Sequence, residues 1–160
     1  QELGPIFGNR GVSGIDGNIA TAVGLAQGLK SPLIAIIGDQ AGLHDLNSLA
    51  QMKQAKYPVI LIIINNKGGG IFSFMPVSKK ETTLVEKFFA ASHSFSFEHA
   101  AALFGLDYYR FKKIEELACL PSISCLIEIE TERQENFQLH QEIYRTVQEK
   151  LIAKIALEIS

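Results

Sequence analysis

Residues 33–74 read LIAIIGDQAGLHDLNSLAQMKQAKYPVILIIINNKGGGIFSF, and the choice of fold turns on them. Two apolar runs, 33–37 and 59–64, end in small polar residues: Gly38-Asp39 after the first, Asn65-Asn66 and then Gly68-Gly69-Gly70 after the second. The second run is β-branched everywhere except Leu61 and lacks polar alternation, the pattern of a strand covered on both faces in a parallel sheet. The first reads as a buried strand of the same kind. Between them, 42–55 has helical character, with Leu46, Leu49 and Ala50 facing inward. Tyr57-Pro58 stops it, because the residue before proline avoids helical geometry. A strand–helix–strand unit paired in parallel brings both strand ends to one sheet edge, and in open α/β sheets ligands bind at that edge.

Upstream, 13–29 reads as a helix, with Ser13 as N-cap, Asp16 as its capping-box partner, and Ile15, Ile19, Ala22, Val23, Ala26 and Leu29 at helical spacing. Gly14, Gly17, Gly24 and Gly28 weaken that helix and admit two readings: close approach of a backbone or ligand, or tight helix–sheet packing. Residues 1–12 form a loop around Arg10, whose guanidinium is either solvated or a fork for a carboxylate or phosphate. Downstream, 67–97 is irregular, and Phe88, Phe89, Phe95 and Phe97 need cover from the loop or from a partner. Then follow a helix at 97–104, a strand at 108–111, a helix at 113–118, a strand at 124–130 and an amphipathic helix at 136–157. The last carries Leu139, Ile143, Val147, Leu151 and Ile155 in register, read as core. This alternation predicts an α/β domain spanning 1–160, with a mostly parallel sheet and helices on both faces in three layers.

The 160 residues carry a net charge of −2, which argues against nucleic acid or an anionic membrane as partner. The apolar run 59–64 is too short to span a bilayer. QELGPIFGNRG has no basic-then-apolar signal pattern, so the expected setting is cytoplasmic. Cys119 and Cys125 form no disulfide framework and read as small buried thiols in a reducing compartment. His44, His93, His99 and His140 lack metal-ligand spacing and take packing or surface roles.

The chemistry lies at the two strand ends. Asp39 and Asn66, with 26 residues between them, are hard oxygen donors, and the Gly68 carbonyl follows two residues later, free of side-chain obstruction. One carboxylate, one carboxamide and one carbonyl suit Mg²⁺, which takes few protein ligands and completes its shell with phosphate oxygens. Free N–H groups after Gly38 and at the start of the following helix could take diphosphate oxygens, aided by the helix dipole. The alternative is strand-end Asp and Asn making ordinary turn bonds.

Gly38-Asp39, a spacer and Asn65-Asn66 resemble the signature of the diphosphate-binding domain of thiamin-diphosphate-dependent enzymes, with Gln40 where a second Gly often stands. The stretches NRGVSGIDG (9–17), GDQAGLHDLN (38–47) and NNKGGGIFSF (65–74) narrow the resemblance. So do FEHAA (97–101) and ERQEN (132–136), which leads into the final helix with His140. Together they are similar to the 2-succinyl-5-enolpyruvyl-6-hydroxy-3-cyclohexene-1-carboxylate synthases of menaquinone biosynthesis, over nearly the whole chain.

The resemblance implies the thiamin-diphosphate-binding fold. It implies a transferase that decarboxylates 2-oxoglutarate and adds the succinyl unit to isochorismate, with thiamin diphosphate and Mg²⁺ or Mn²⁺ as cofactors. It implies Asp39, Asn66 and Gly68 as metal ligands, and Ile15, Gly38, Asp39, Gln40, Ala41, Asn66, Gly68 and Ile71 as cofactor contacts. Arg10 would anchor a substrate carboxylate, and Phe72 would wall the substrate. No catalytic residue is implied here: the Glu that activates the aminopyrimidine belongs to another domain. The chain is accordingly expected to be a C-terminal part of a three-domain enzyme, inactive without its N-terminal domains and forming homo-oligomers. The alternatives are a domain of another thiamin-dependent decarboxylase or carboligase, and a non-catalytic binding or assembly module.

Overall fold

A computed structural model of the chain describes residues 4–9, 14–75 and 82–159. They form two compact units, Gln1–Asn65 with Ser94–Glu130, and Asn66–His93 with Thr131–Ser160.

The first unit is built on a four-stranded sheet of β1 (Leu33–Gly38), β2 (Val59–Asn65), β3 (Asp107–Phe111) and β4 (Cys125–Glu130), in the order β1-β2-β4-β3. Every pairing is parallel. One face packs on α1 (Asn18–Leu29), α2 (Asp39–His44), α3 (Leu49–Gln54) and α5 (Glu98–Leu103). Leu61, Ile63 and Leu126 of the sheet meet Ile19, Ala26, Leu49, Met52 and Phe97 there, all essentially inaccessible to solvent. Each such side chain contributes about 2 kcal/mol by leaving water, so β2 and β4 anchor the unit. On the other face Ile60, Ile62, Cys125 and Ile127 pack with Leu117 and Leu120, from and just beyond the 3₁₀ turn Ile114–Ala118. The parallel α/β architecture expected from the strand–helix alternation is borne out.

Several local expectations need correction. β1 is not a buried strand: it lies at the sheet edge, and Ile34 and Ile36 are 53% and 67% exposed. Among the described residues α1 begins only at Asn18, after Gly17 in the left-handed region at φ 69°, so Ile15 and Asp16 precede it; Ser13 lies outside the described residues. The cap comes instead from Asp45, whose Oδ2 accepts the Ile19 and Ala20 N–H groups at 2.6 and 2.9 Å. Tight helix–sheet packing does not hold at Gly24 and Gly28, where an added Cβ meets no atom of the described chain within 4 Å.

The same Asp45 explains why 42–55 is not one helix. Its backbone leaves helical geometry at φ −124°, ψ 27°, between α2 and the 3₁₀ turn Leu46–Ser48 that leads into α3. Its Oδ1 also accepts the Ser48 hydroxyl at 2.6 Å. A residue committed to another helix's N-terminus cannot also serve the middle of its own. The cysteines divide as well: Cys119 is exposed, against expectation, because it follows the short 3₁₀ turn rather than a packed helix. Cys125 opens β4 in the core, and burial, followed by the charge of Asp107, pushes its thiol up to about 11.

The second unit contains the 3₁₀ turn Gly70–Phe74, α4 (Thr82–Phe88) and α6 (Arg133–Ile159). Phe74 meets Phe137 and His140 of α6, with ring centroids 5.3 and 5.2 Å apart, and Phe72 meets Phe89 at 5.8 Å. Arg133 donates to Glu86 at 2.9 Å and to Ser92 at 3.2 Å. The apolar stripe of α6 is not core here. Leu139, Ile143, Val147, Leu151 and Ile155 share one side of the helix at four-residue spacing, yet each is between 46% and 56% exposed. Phe88 and Phe95 are also left exposed, whereas Phe97 is buried. Among the described residues no helix is long and apolar enough to cross a membrane.

Candidate cofactor and metal site

In the first unit the parallel register brings the two strand ends to one edge, as the alternation required. Gly38 is level with Ile64, and Asn65, the last residue of β2, is level with Glu130. Asp39 opens α2 directly from β1 and is 2% exposed. Its Oδ1 accepts the Gln40 N–H at 2.6 Å. Ala41 follows in the same turn of α2 and is half-buried.

Asn65 is fully buried beside a residue that motif reasoning missed. The Asn65 side-chain amide donates to Glu128 Oε1 at 2.6 Å and to the Phe95 carbonyl at 3.0 Å. Glu128, equally buried on β4, receives three more donors at Oε2: Tyr108 hydroxyl at 2.5 Å, Ser96 hydroxyl at 3.0 Å and Phe97 N–H at 3.1 Å. Burial pulls the Glu128 carboxyl upward, but the bonds from Tyr108, Asn65, Phe97 and Ser96 outweigh it and hold it below the usual carboxylate range. Burial, then the bond to Glu128, pushes the Tyr108 hydroxyl above its ordinary value. Arg110 forms an outer layer, donating to Tyr108 at 3.2 Å and Ser96 at 3.1 Å. The available signal is a charge in the middle of the apolar strand CLIEIE, on the same side as Leu126.

The second unit contributes the turn that begins at Asn66. Lys67 and Gly68 have φ of 62° and 145°. A Cβ at Gly68 would stand 2.6 Å from the Ala90 carbonyl oxygen, so both conformation and space require glycine there. Gly70 is constrained in a related way, since a Cβ would stand 2.6 Å from Asn66 Nδ2. The turn is tied down by Gly69 N–H to Ala90 O at 2.5 Å and by His93 N–H to Lys67 O at 3.3 Å. Within it, Asn66 Oδ1 is buried and has no hydrogen-bond partner among the described residues. A buried carboxamide oxygen left unpaired costs on the order of 1–3 kcal/mol, and a hard cation is the partner such an atom suits. The donor chemistry therefore fits the implied metal. Among the described residues no three His, Cys, Asp or Glu side chains converge, so any such ion would rely on mixed oxygen donors.

The remaining expected residues are scattered. Arg10 lies outside the described residues. Ile15 precedes α1 and is 43% exposed. Ile71 is exposed and Phe72 half-buried, both in the turn after Gly70.

With a parallel sheet edge carrying Gly38-Asp39 and Asn65, and a glycine turn following at once, the chain belongs to the thiamine pyrophosphate enzymes. The family described as thiamine pyrophosphate enzyme, C-terminal TPP binding domain, matches residues 6–120. More narrowly, the chain is similar to 2-succinyl-5-enolpyruvyl-6-hydroxy-3-cyclohexene-1-carboxylate synthases. It is 44% identical to that of Salinibacter ruber over 151 residues, 91% of this chain and 25% of that protein. It is 43% identical to that of Rubrobacter xylanophilus over 147 residues, 88% of this chain and 25% of that protein. Against that of Aliivibrio fischeri it is 41% identical over 151 residues, 89% of this chain and 25% of that protein. The resemblance read from the motifs is thus borne out, and the chain spans about a quarter of the length of these relatives. Among solved structures it is similar to the thiamine diphosphate-dependent 4-hydroxybenzoylformate decarboxylase of Rhodococcus jostii RHA1. There the TM-score is 0.57 and the identity 27%, covering 72% of this chain and 23% of that one.

Proposed function

We propose that this chain is the diphosphate- and metal-binding part of a thiamin-diphosphate-dependent synthase that joins a succinyl unit from 2-oxoglutarate to isochorismate in menaquinone biosynthesis. The observation that carries the reading is the orphaned, buried Asn66 Oδ1 at the head of the glycine turn. The similarity to 2-succinyl-5-enolpyruvyl-6-hydroxy-3-cyclohexene-1-carboxylate synthases supports the product, and the resemblance of the motifs implies the substrate pair. Asp39, Asn66 Oδ1 and the Gly68 carbonyl would hold Mg²⁺ or Mn²⁺, with Gly38, Gln40 and Ala41 lining the diphosphate. This assignment rests on the signature and on what each unit presents separately. When bound, thiamin diphosphate supplies the electron sink for loss of carbon dioxide from the 2-oxo acid and for formation of the new carbon–carbon bond.

The chain's own residues bind and shield. Arg10 would pair its planar fork with a substrate carboxylate. Ile15 and Ile71 would contact the cofactor, and Phe72 would wall the substrate, keeping water from the reacting carbon. The activating carboxylate would come from another domain, in a cytoplasmic homo-oligomer built from longer chains.

Calorimetric titration of thiamin diphosphate into the complete gene product with Mg²⁺ tests the metal assignment. Asp39→Ala is expected to weaken binding by about a hundredfold, the effect of losing one first-rank ionic ligand worth roughly 3 kcal/mol. Unchanged affinity would sink the assignment. The similarity to a 4-hydroxybenzoylformate decarboxylase favours one second reading, a thiamin-dependent decarboxylase of another 2-oxo acid. Turnover of 2-oxoglutarate with isochorismate, and none of benzoylformate-type acids, separates the two.

A further inference from the structure

Glu128 is the most expensive side chain in the first unit to explain by folding alone. It occupies an interior position of β4, fully buried, where Leu126 and Ile127 beside it are apolar. A carboxylate taken from water costs several kcal/mol unless strong donors replace its hydration. The donors that do so converge from three separate parts of the chain: Asn65 at the end of β2, Ser96 and the Phe97 N–H at the entry to α5, and Tyr108 on β3. No cation bonds it directly among the described residues; Arg110 bonds its partners Tyr108 and Ser96 and pairs with Glu130 at 3.7 Å. The hub's shortest reach toward the proposed site is through Asn65. That side chain is held by two acceptors at once, Glu128 Oε1 and the Phe95 carbonyl. The next residue in the chain is Asn66.

We propose that Glu128 is a positioning residue for the cofactor site: by gathering Asn65, Ser96, Phe97 and Tyr108 it fixes the end of β2 at the sheet edge where Gly38-Asp39 stands. The proposal rests on the metal role given above to Asn66 and Asp39. It assigns Glu128 no contact with cofactor or substrate. Its action is to restrict the rotation of Asn65 and to hold the end of β2 in place within the first unit. Replacing it by Gln keeps the volume but removes the charge and turns an amide N–H₂ toward groups that are themselves donors, so the gathering loosens while the apolar core remains.

The test compares wild type, Glu128→Gln, Tyr108→Phe and Asp39→Ala in the complete gene product, stripped of cofactor. Thiamin diphosphate and Mg²⁺ are titrated by calorimetry, and substrate KM and kcat are measured at saturating cofactor. The expected result is a dissociation constant for thiamin diphosphate raised about tenfold by Glu128→Gln and about threefold by Tyr108→Phe, in line with the loss of charged and single hydrogen bonds. Mg²⁺ half-saturation moves with it, and the substrate KM stays within about twofold because only cofactor binding is perturbed. Tyr108→Phe removes one donor of four and carries the test should Glu128→Gln fail to fold. If both variants melt earlier yet bind cofactor as wild type does, Glu128 is a structural residue only and the proposal is overturned. Loss of binding in Asp39→Ala alongside that result leaves the metal reading standing. Absence of Mg²⁺-dependent binding in wild type overturns the metal reading and this proposal with it.

Discussion

On β4, beside the end of β2, a fully buried carboxylate, Glu128, collects donors at distances up to 3.1 Å, while along α6 Leu139, Ile143, Val147, Leu151 and Ile155 stand about half exposed. Each region inverts the usual partition, in which charges face water and aliphatic side chains leave it. The first inversion is compensated within its own unit, since hydrogen bonds replace the lost hydration. The second is not compensated among the described residues. A compensated inversion marks geometry that is being held in place; an uncompensated one marks surface awaiting cover. The two regions should therefore respond to substitution in opposite ways.

The largest effect is expected at the compensated end. Glu128→Leu strands four donors in the core and should cost about 3–5 kcal/mol of unfolding free energy, measured by urea denaturation at neutral pH. The pH dependence has a definite sign. Because the folded carboxyl is held below its ordinary value, its contribution is fully present above the unfolded pKa and is lost as pH falls through the folded one. The gap in stability between wild type and Glu128→Gln should therefore narrow below about pH 4, near the unfolded carboxyl pKa. A gap that stayed constant down to pH 3 would mean the carboxylate is not held in this way.

A smaller effect is expected at Asp45, another acceptor of distant donors. Asp45→Ala removes the only side chain capping α1 among the described residues and should cost about 1–2 kcal/mol in thermal or urea melts. Asp45→Asn should recover much of that, because the carboxamide oxygen still accepts. Equal losses in the two variants would place the contribution in charge rather than in the cap.

These two carboxylates also mark where sequence reading succeeds and where it stops. β2 was legible because an unbroken β-branched run has one physical solution, a strand covered on both faces. Asp39 and Asn66 stand out as candidates because each lies next to a strand end, where the sequence alone shows the donor. Nothing in the sequence around Asp45 points to its cap, because its partners Ile19 and Ala20 lie 26 and 25 residues away. Nothing in a local window distinguishes a cap for its own helix from a cap for another, so α2 and α3 were read as one helix. Glu128 sits in plain view within CLIEIE, but all four of its donors come from elsewhere in the chain, 20 to 63 residues distant. Burial of β1 was misjudged for a different reason: apolar content shows that a strand can be covered, and only topology shows that it lies at an edge.

The smallest effect is expected on α6, and it sharpens the comparison because a near-zero value is informative. Ile143→Gln with Val147→Gln alters side chains 50% and 56% exposed, so each change should move stability by less than about 0.5 kcal/mol. Leu61→Ala, in the buried centre of β2, serves as the contrast and should cost about 2–5 kcal/mol. Both are read from urea melts of the 160-residue chain at several protein concentrations. If the double variant instead loses 2 kcal/mol or more, and the loss grows with concentration, the stripe is covered in solution by a second copy. Light scattering would then show wild type as an oligomer and the variant as a monomer. If the stripe behaves as open surface at every concentration, its four-residue spacing reports a face that α6 presents outward, and the helix is held to its unit through contacts that include those of Arg133, Phe137 and His140.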